Sequence, residues 1–314
     1  MTAFSIEPLT PHIGAEISNL DLSRTLSDSV MDKLEQALLD WKVLFFRDQN
    51  IDVEDQKRVA RWFGDLEVHP TAVPGAEHAE LIRIAEDDKL RARNNLWHSD
   101  VTFRQSPPLG SILCGREIPP VGGDTLFADM YAAYDNLDEK IKAKIDDAKA
   151  VHVWPDGWVN MVMKSQKLDK NEFWRRYPNP EHPVVRTHPQ TGRRSLFVNT
   201  AFTRQIVGME KSESDVLLAF LYSQAAIPEY QCRFRWSKNS VAFWDNRCTQ
   251  HFVLNDFVGE RIVRRVTVVG DQVEAAEPAK WQPYIRPGRL SATSRHDRQL
   301  YVYLKSKGLM VNER

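Results

Sequence analysis

Apolar residues recur at helical spacing in three stretches of the chain. Over residues 29–42, Val30, Leu34, Leu38 and Trp41 fall on one face, with Ser29 and Asp32 spaced as in a capping box. Residues 52–63 open with acidic side chains and then present Val59, Trp62 and Phe63 for burial. Residues 212–226 begin with Ser212 and Asp215 and continue with Val216, Phe220 and Leu221. A weaker helical pattern covers residues 131–148. Elsewhere the pattern is that of strands. Residues 41–46 form a short apolar run, and residues 231–236 and 261–269 alternate. Residues 184–188 and 195–198 flank Pro189-Gln190-Thr191-Gly192 and predict a β-hairpin. Residues 70–95 and 154–183, polar and punctuated by proline and glycine, predict two long loops of the kind that act as lids or binding segments.

Strands dominate the second half, and helices gather in the first half and near residue 220. The expected fold is therefore mainly β with flanking helices around one core, not two separate domains. Residues 272–314 read as a polar extension of unknown role with an apolar patch at 300–304.

Composition narrows the class. A chain of 314 residues buries enough surface to fold without a disulfide or structural-metal staple. Lys and Arg number 42 against 43 Asp and Glu, a net charge of −1, which argues against a nucleic-acid partner. Hydrophobic content of 42% with 27% charged residues excludes disorder. No apolar run approaches the ~20 residues of a membrane span, and the first residues lack the basic and apolar regions of a signal peptide. Cys114, Cys232 and Cys248 form no CxxC pair, as expected for reduced thiols in a cytoplasmic enzyme.

The chemistry gathers in two segments. In Trp97-His98-Ser99-Asp100-Val101-Thr102-Phe103, a strand would point His98 and Asp100 to the same face. One imidazole nitrogen and one carboxylate oxygen make a ready pair of metal ligands, although an HxD pair alone is common at solvent-facing strand ends. The later segment Phe243-Trp244-Asp245-Asn246-Arg247-Cys248-Thr249-Gln250-His251 offers a third ligand in His251. Two His and one carboxylate give a facial triad with open positions, which an oxygenase needs. In the strand at 261–269, Arg261 and Arg265 share a face with Val263 and Thr267, so a bidentate anionic partner is expected beside them. Arg264, on the other face, is expected to be solvated.

Taken together, WHSDVTF (97–103), GGDTLF (122–127), HPVVRTHPQTGRRSLFVN (182–199), FWDNRCTQH (243–251) and RIVRRVTVVGD (261–271) resemble the taurine dioxygenase (TauD/TfdA) family of Fe(II)- and 2-oxoglutarate-dependent oxygenases. The resemblance runs from about residue 6 to 271, so residues 1–271 are expected as one dioxygenase domain. It implies a double-stranded β-helix, the jelly roll of the cupin class. It also implies catalytic iron on His98, Asp100 and His251, with 2-oxoglutarate and O2 as cosubstrates. The distal carboxylate of 2-oxoglutarate would meet Arg261 and Thr125, and Arg265 would lie between that cosubstrate and the anionic head of the substrate. His69, Asn94, Val101, Trp154 and Phe202 match positions lining the family's substrate pocket.

Two departures put taurine itself in doubt. Ala72 stands where the family has a tyrosine, and Trp154 where it has a phenylalanine. The expected substrate is a small anionic organic molecule: a sulfonate, a sulfate ester or a carboxylate. The implied reaction hydroxylates a carbon beside the anionic head and releases succinate and CO2, and related enzymes assemble as dimers or tetramers. Two rival readings use the same residues. A zinc-dependent hydrolase would use the three ligands without needing the arginines, and a non-catalytic jelly-roll binding module would need neither.

Overall fold

A computed structural model of the chain describes residues 4–68, 77–87 and 95–275. Strands β1 (Ser5–Pro8) and β2 (Ala15–Ser18) precede helix α1 (Asp28–Trp41), strand β3 (Val43–Phe46), helix α2 (Val53–Phe63) and strand β4 (Leu81–Glu86). Next come β5 (Gly110–Glu117), β6 (Thr125–Asp129), α3 (Met130–Asp135), α4 (Glu139–Ile145) and β7 (Lys149–His152). The middle of the chain holds α5 (Asp156–Gln166), α6 (Lys170–Arg176), β8 (Glu181–Pro183), β9 (Val185–Thr187), β10 (Arg194–Leu196) and β11 (Thr203–Ile206). After α7 (Lys211–Ser223) come β12 (Gln231–Phe234), β13 (Val241–Asp245), β14 (Thr249–Val253) and β15 (Arg261–Val268).

Two sheets frame the site. The larger has seven strands in the order β1-β2-β3-β13-β5-β15-β4, and the smaller is β12-β6-β14. Because side chains alternate along a strand, each buried strand of the larger sheet feeds two cores. Val43 and Phe45 of β3, Ala242 and Trp244 of β13 and Val263 of β15 meet Phe127, Cys232 and Phe234 of the smaller sheet. Phe45 and Phe234 stack at 4.1 Å across this inner layer. The opposite residues, Leu44, Phe46, Val241, Phe243, Val266 and Val268, pack on Met31, Leu34 and Leu38 of α1 and on Val59 and Ala60 of α2. Truncating a core aromatic such as Phe45 to alanine costs about 3–5 kcal/mol. Arg261 and Arg265 lie on the Val263 face of β15, so the alternation that builds the core also aims both guanidiniums between the sheets.

Helix α2 shows how the local sequence secures this frame. Asp52 accepts from the Asp55 N–H at 2.8 Å while Asp55 accepts from the Asp52 N–H, a reciprocal capping box. The buried Gln56 then donates to the carbonyls of Ile112 and Arg264, tying the helix to β5 and β15.

Several expectations need correction. The segment 154–183 is not a loop: it carries α5 and α6, with Pro155 at the N-cap of α5. The segment 70–95 contains β4, which pairs with β15 from Arg261↔Glu86 to Val266↔Leu81. Helix α1 begins at Asp28 behind Ser27, and the box expected from Ser29 and Asp32 does not form. The pattern over 131–148 resolves into α3 and α4, each started by an aspartate cap, Asp129 and Asp138. Arg264 is partly buried and donates to the Ile51 carbonyl at 3.0 Å. The hairpin is β9–β10, paired Arg194↔Thr187 to Leu196↔Val185. Of the extension after 271, only residues up to 275 fall within the described part. Asp271 accepts two hydrogen bonds from the buried Arg186, and Thr187 donates to the Glu274 carbonyl. No helix among the described residues is long and apolar enough to cross a membrane.

Candidate metal centre

The two chemistry-bearing segments meet through their backbones. His98 and His251 form an isolated antiparallel bridge, with His98 N–H donating to His251 at 3.1 Å and His251 N–H to His98 at 2.8 Å. Ser99 Oγ extends the contact to the Thr249 carbonyl at 2.7 Å. After that bridge the chain does not continue as a strand. It turns at Asp100 and Val101, with Val101 at φ +57°. The shared-face argument for His98 and Asp100 therefore fails, because a left-handed turn and not a pleat brings the carboxylate back toward the imidazoles.

The outcome is nonetheless a ligand cluster. His98, Asp100 and His251 are all buried, and their donor atoms lie within 4.8 Å of one another. His98 Nε2 is 3.8 Å and His251 Nε2 is 3.9 Å from Asp100 Oδ1, beyond hydrogen-bonding reach and open to a shared ion. His98 Nδ1 lies 2.8 Å from the Leu96 carbonyl. A carbonyl only accepts, so Nδ1 carries the proton and Nε2 presents its lone pair to the cluster. Burial pushes the His98 pKa down and drives that of His251 to about 3, which keeps both rings neutral. Burial alone would raise Asp100, but the Arg265 guanidinium beside it is the leading cause that holds the carboxyl at about 2. Two neutral imidazoles and one carboxylate suit a divalent transition metal with coordination positions to spare.

Next to this cluster is a cavity lined by Thr125, Trp244, His251, Arg261 and Arg265, with Glu86 in its wall. Arg261 is buried and gives one nitrogen, Nη1, to Glu86 at 3.0 Å. Its Nε and Nη2 find no hydrogen-bond partner among the described residues. Burial opposes the charge on Arg261 and Glu86 offsets part of that penalty. The Trp236 indole donates to Thr125 Oγ at 2.9 Å, which leaves the hydroxyl hydrogen of Thr125 free to donate. Arg261 and Thr125 thus line one cavity and bring to it two guanidinium nitrogens and one hydroxyl without protein acceptors among the described residues, a fit for a carboxylate. Gly122 and Gly123, before Thr125, have φ of +81° and +70°. A Cβ on Gly123 would stand 3.3 Å from Arg261 Cδ, so the glycine lets the loop lie against the arginine.

Arg265 Nη1 donates to both oxygens of Asp100 at 3.1 Å, while its Nε has no partner among the described residues. Val101, Trp154 and Phe202 come together in one apolar cluster with Phe103 and Phe173. The Phe202 ring sits 6.4 Å from that of His98, so this wall begins at the metal cluster. His69 and Asn94 lie outside the described residues.

Sequence reasoning missed three neighbours of the site. Glu86 hid in a segment read as loop, while Trp236 and Asn246 stood inside quoted segments without a role. A second buried group, His188, Asp245 and Cys248, also brings donor atoms within 4.8 Å. There Arg247 already supplies the cation, at 2.9 Å and 2.7 Å from the two Asp245 oxygens, and burial holds the Cys248 thiol protonated. That group braces the turn between β13 and β14.

The family model for taurine catabolism dioxygenase TauD, TfdA family, matches residues 5–267. The chain belongs to this family. Like other TauD/TfdA members, it is a 2-oxoglutarate-dependent dioxygenase using Fe(II), 2-oxoglutarate and O2. Its similarity to an alkylsulfatase of Acinetobacter baylyi is 37% identity over 307 residues, 96% of each chain. An alpha-ketoglutarate-dependent sulfate ester dioxygenase of Pseudomonas putida is 36% identical over 85% of this chain and 89% of its own. Among solved structures, a taurine dioxygenase from Burkholderia xenovorans superposes with a TM-score of 0.75 at 35% identity, covering 92% of this chain and 97% of its own.

Proposed function

We propose that this dioxygenase acts on alkyl sulfate esters, oxidising the carbon that carries the ester oxygen. The observation that carries the reading is the full-length similarity to an alkylsulfatase, 37% identical over 96% of both chains. The similarity to a sulfate ester dioxygenase points the same way. The site suits such a molecule, because Arg265 bonds Asp100 and keeps an Nε without a partner among the described residues, while Val101, next in the chain after Asp100, joins Trp154 and Phe202 in an apolar cluster.

In this account His98, Asp100 and His251 hold the iron. Arg261 and Thr125 take the distal carboxylate of 2-oxoglutarate, using the nitrogens and hydroxyl that Glu86 and Trp236 leave unused. Arg265 and His69 receive the sulfate head, Asn94 lines the substrate pocket, and the apolar wall holds the alkyl chain and excludes water. The two facing sheets are then the halves of a double-stranded β-helix with the site between them. Bound iron and 2-oxoglutarate supply the oxidising chemistry, with O2 as oxidant. Substrate, O2 and 2-oxoglutarate give the hydroxylated ester, succinate and CO2. The hydroxylated ester is a hemiacetal sulfate, whose C–O bond breaks to give an aldehyde and hydrogen sulfate.

A panel of alkyl sulfates, alkyl sulfonates, carboxylates and the matching neutral alcohols tests this by succinate release under steady state. An alkyl sulfate is expected to show the highest kcat/KM. A neutral alcohol turned over faster than every anion would overturn the anionic reading, and a sulfonate in first place would overturn the ester.

A further inference from the structure

The three proposed iron ligands are secured in unequal ways. His98 and His251 register each other through two backbone hydrogen bonds. Asp100 sits past the end of that bridge, on a turn whose next residue, Val101, is β-branched and held at φ +57°. Such a conformation disfavours a valine and persists only where the surroundings impose it. One side chain holds the peptide groups on both sides of Asp100. Asn246, fully buried in the turn between β13 and β14, accepts from the Asp100 N–H through Oδ1 at 2.7 Å. Its Nδ2 donates to the carbonyl of the same Asp100 at 3.0 Å and to the Pro108 carbonyl at 3.3 Å. Its own N–H donates to the Leu109 carbonyl at 2.8 Å.

Both Nδ2 hydrogens and the Oδ1 of that amide are therefore engaged, and both peptide groups flanking the Asp100 Cα are clamped by it. Asn246 stands five positions before His251, on the turn that launches β14. We propose that Asn246 is a positioning residue for the metal centre. It fixes the Asp100 carboxylate relative to His251 and holds Val101 in its left-handed conformation before any metal binds. The Arg247–Asp245–His188 network behind it anchors the turn from which it acts. This rests on the assignment of Asp100 as a ligand and is independent of the substrate.

The test uses Co(II) as a spectroscopic probe of the purified chain. Asn246→Ala and the isosteric Asn246→Asp, which places an acceptor against two carbonyls, are expected to weaken Co(II) binding by about 10–100-fold and to change the Co(II) ligand-field spectrum. Gln224→Ala removes another fully buried amide, one bonded to the Phe220 carbonyl in a different core. It is expected to lower the melting temperature without altering Co(II) affinity. Adding Val101→Gly to Asn246→Ala is expected to recover part of the lost affinity, because glycine adopts positive φ without the clamp. In the metal-free wild type, the Asp100 amide is expected to exchange its hydrogen slowly. Unchanged Co(II) affinity and spectrum in the two Asn246 variants would overturn the proposal. So would an Asp100 amide that exchanges at the free-peptide rate in the metal-free wild type, however the variants fold. No Co(II) binding by the wild type would overturn the metal centre itself, whereas failure of the sulfate-ester reading would leave these results unchanged.

Discussion

Arg261 lines the cavity and gives Nη1 to Glu86, while its Nε and Nη2 have no partner among the described residues. A lysine keeps the charge but cannot serve a carboxylate through a planar fork while also holding Glu86. Arg261→Lys is therefore expected to raise KM for 2-oxoglutarate about 10–100-fold, the cost of a lost charged hydrogen bond of ~1.5–3 kcal/mol, with a smaller effect on the KM of the sulfate ester. Steady-state kinetics with each cosubstrate varied in turn would check this. Asp135 makes a separate prediction about pH. Burial raises its carboxyl to about 6, with Asp129 adding to the rise and Arg193 only partly offsetting it. A carboxyl raised in the folded state favours folding most below its unfolded value near 4. That advantage is lost as pH rises through about 6. Asp135→Asn, a neutral mimic that still accepts from Arg193, is expected to raise the melting temperature at pH 8 by a few degrees and not at pH 4. Thermal melts at the two pH values decide it.

Among elements, the long amphipathic helices were legible in the sequence because a 3.6-residue period over eleven or more positions leaves few alternatives: α1, α2 and α7 lie within one to three residues of expectation. The loop expected over 154–183 does not form because proline marks helix ends as well as loops. Pro155 in fact starts α5, while Pro178 and Pro180 follow the end of α6, the places where proline suits helices. Among the described residues strand β4 pairs on one side only, with β15, and its six residues carry too short a pattern to separate it from its polar flanks. The capping box forms on α2, from Asp52 and Asp55, and not on α1 from Ser29 and Asp32. Asp52→Ala is expected to cost about 1 kcal/mol, lowering the melting temperature by roughly 2–4 °C while leaving KM for both substrates unchanged. Differential scanning calorimetry alongside steady-state assays would show it.

For the whole molecule, a net charge of −1 conceals a balanced interior. Arg261 pairs with Glu86 and Arg265 with Asp100, so those four groups sum to zero. A divalent metal and a dianionic cosubstrate add nothing to that sum, so the pairs allow both to enter a buried space together. The sequence could name Arg261, Arg265, Thr125 and the three ligands because each stood in a motif. It could not name Glu86, whose role depends on a strand pairing 175 residues away in sequence. Nor could it foresee that a valine at positive φ would turn Asp100 toward the histidines.

The most direct test of the central claim is product stoichiometry with an alkyl sulfate, Fe(II), 2-oxoglutarate and O2. Aldehyde, sulfate and succinate are expected to form in equal amounts, and none of them in the absence of 2-oxoglutarate or O2. Sulfate and an alcohol released by the zinc-loaded protein without 2-oxoglutarate would contradict the account and make the site a hydrolase.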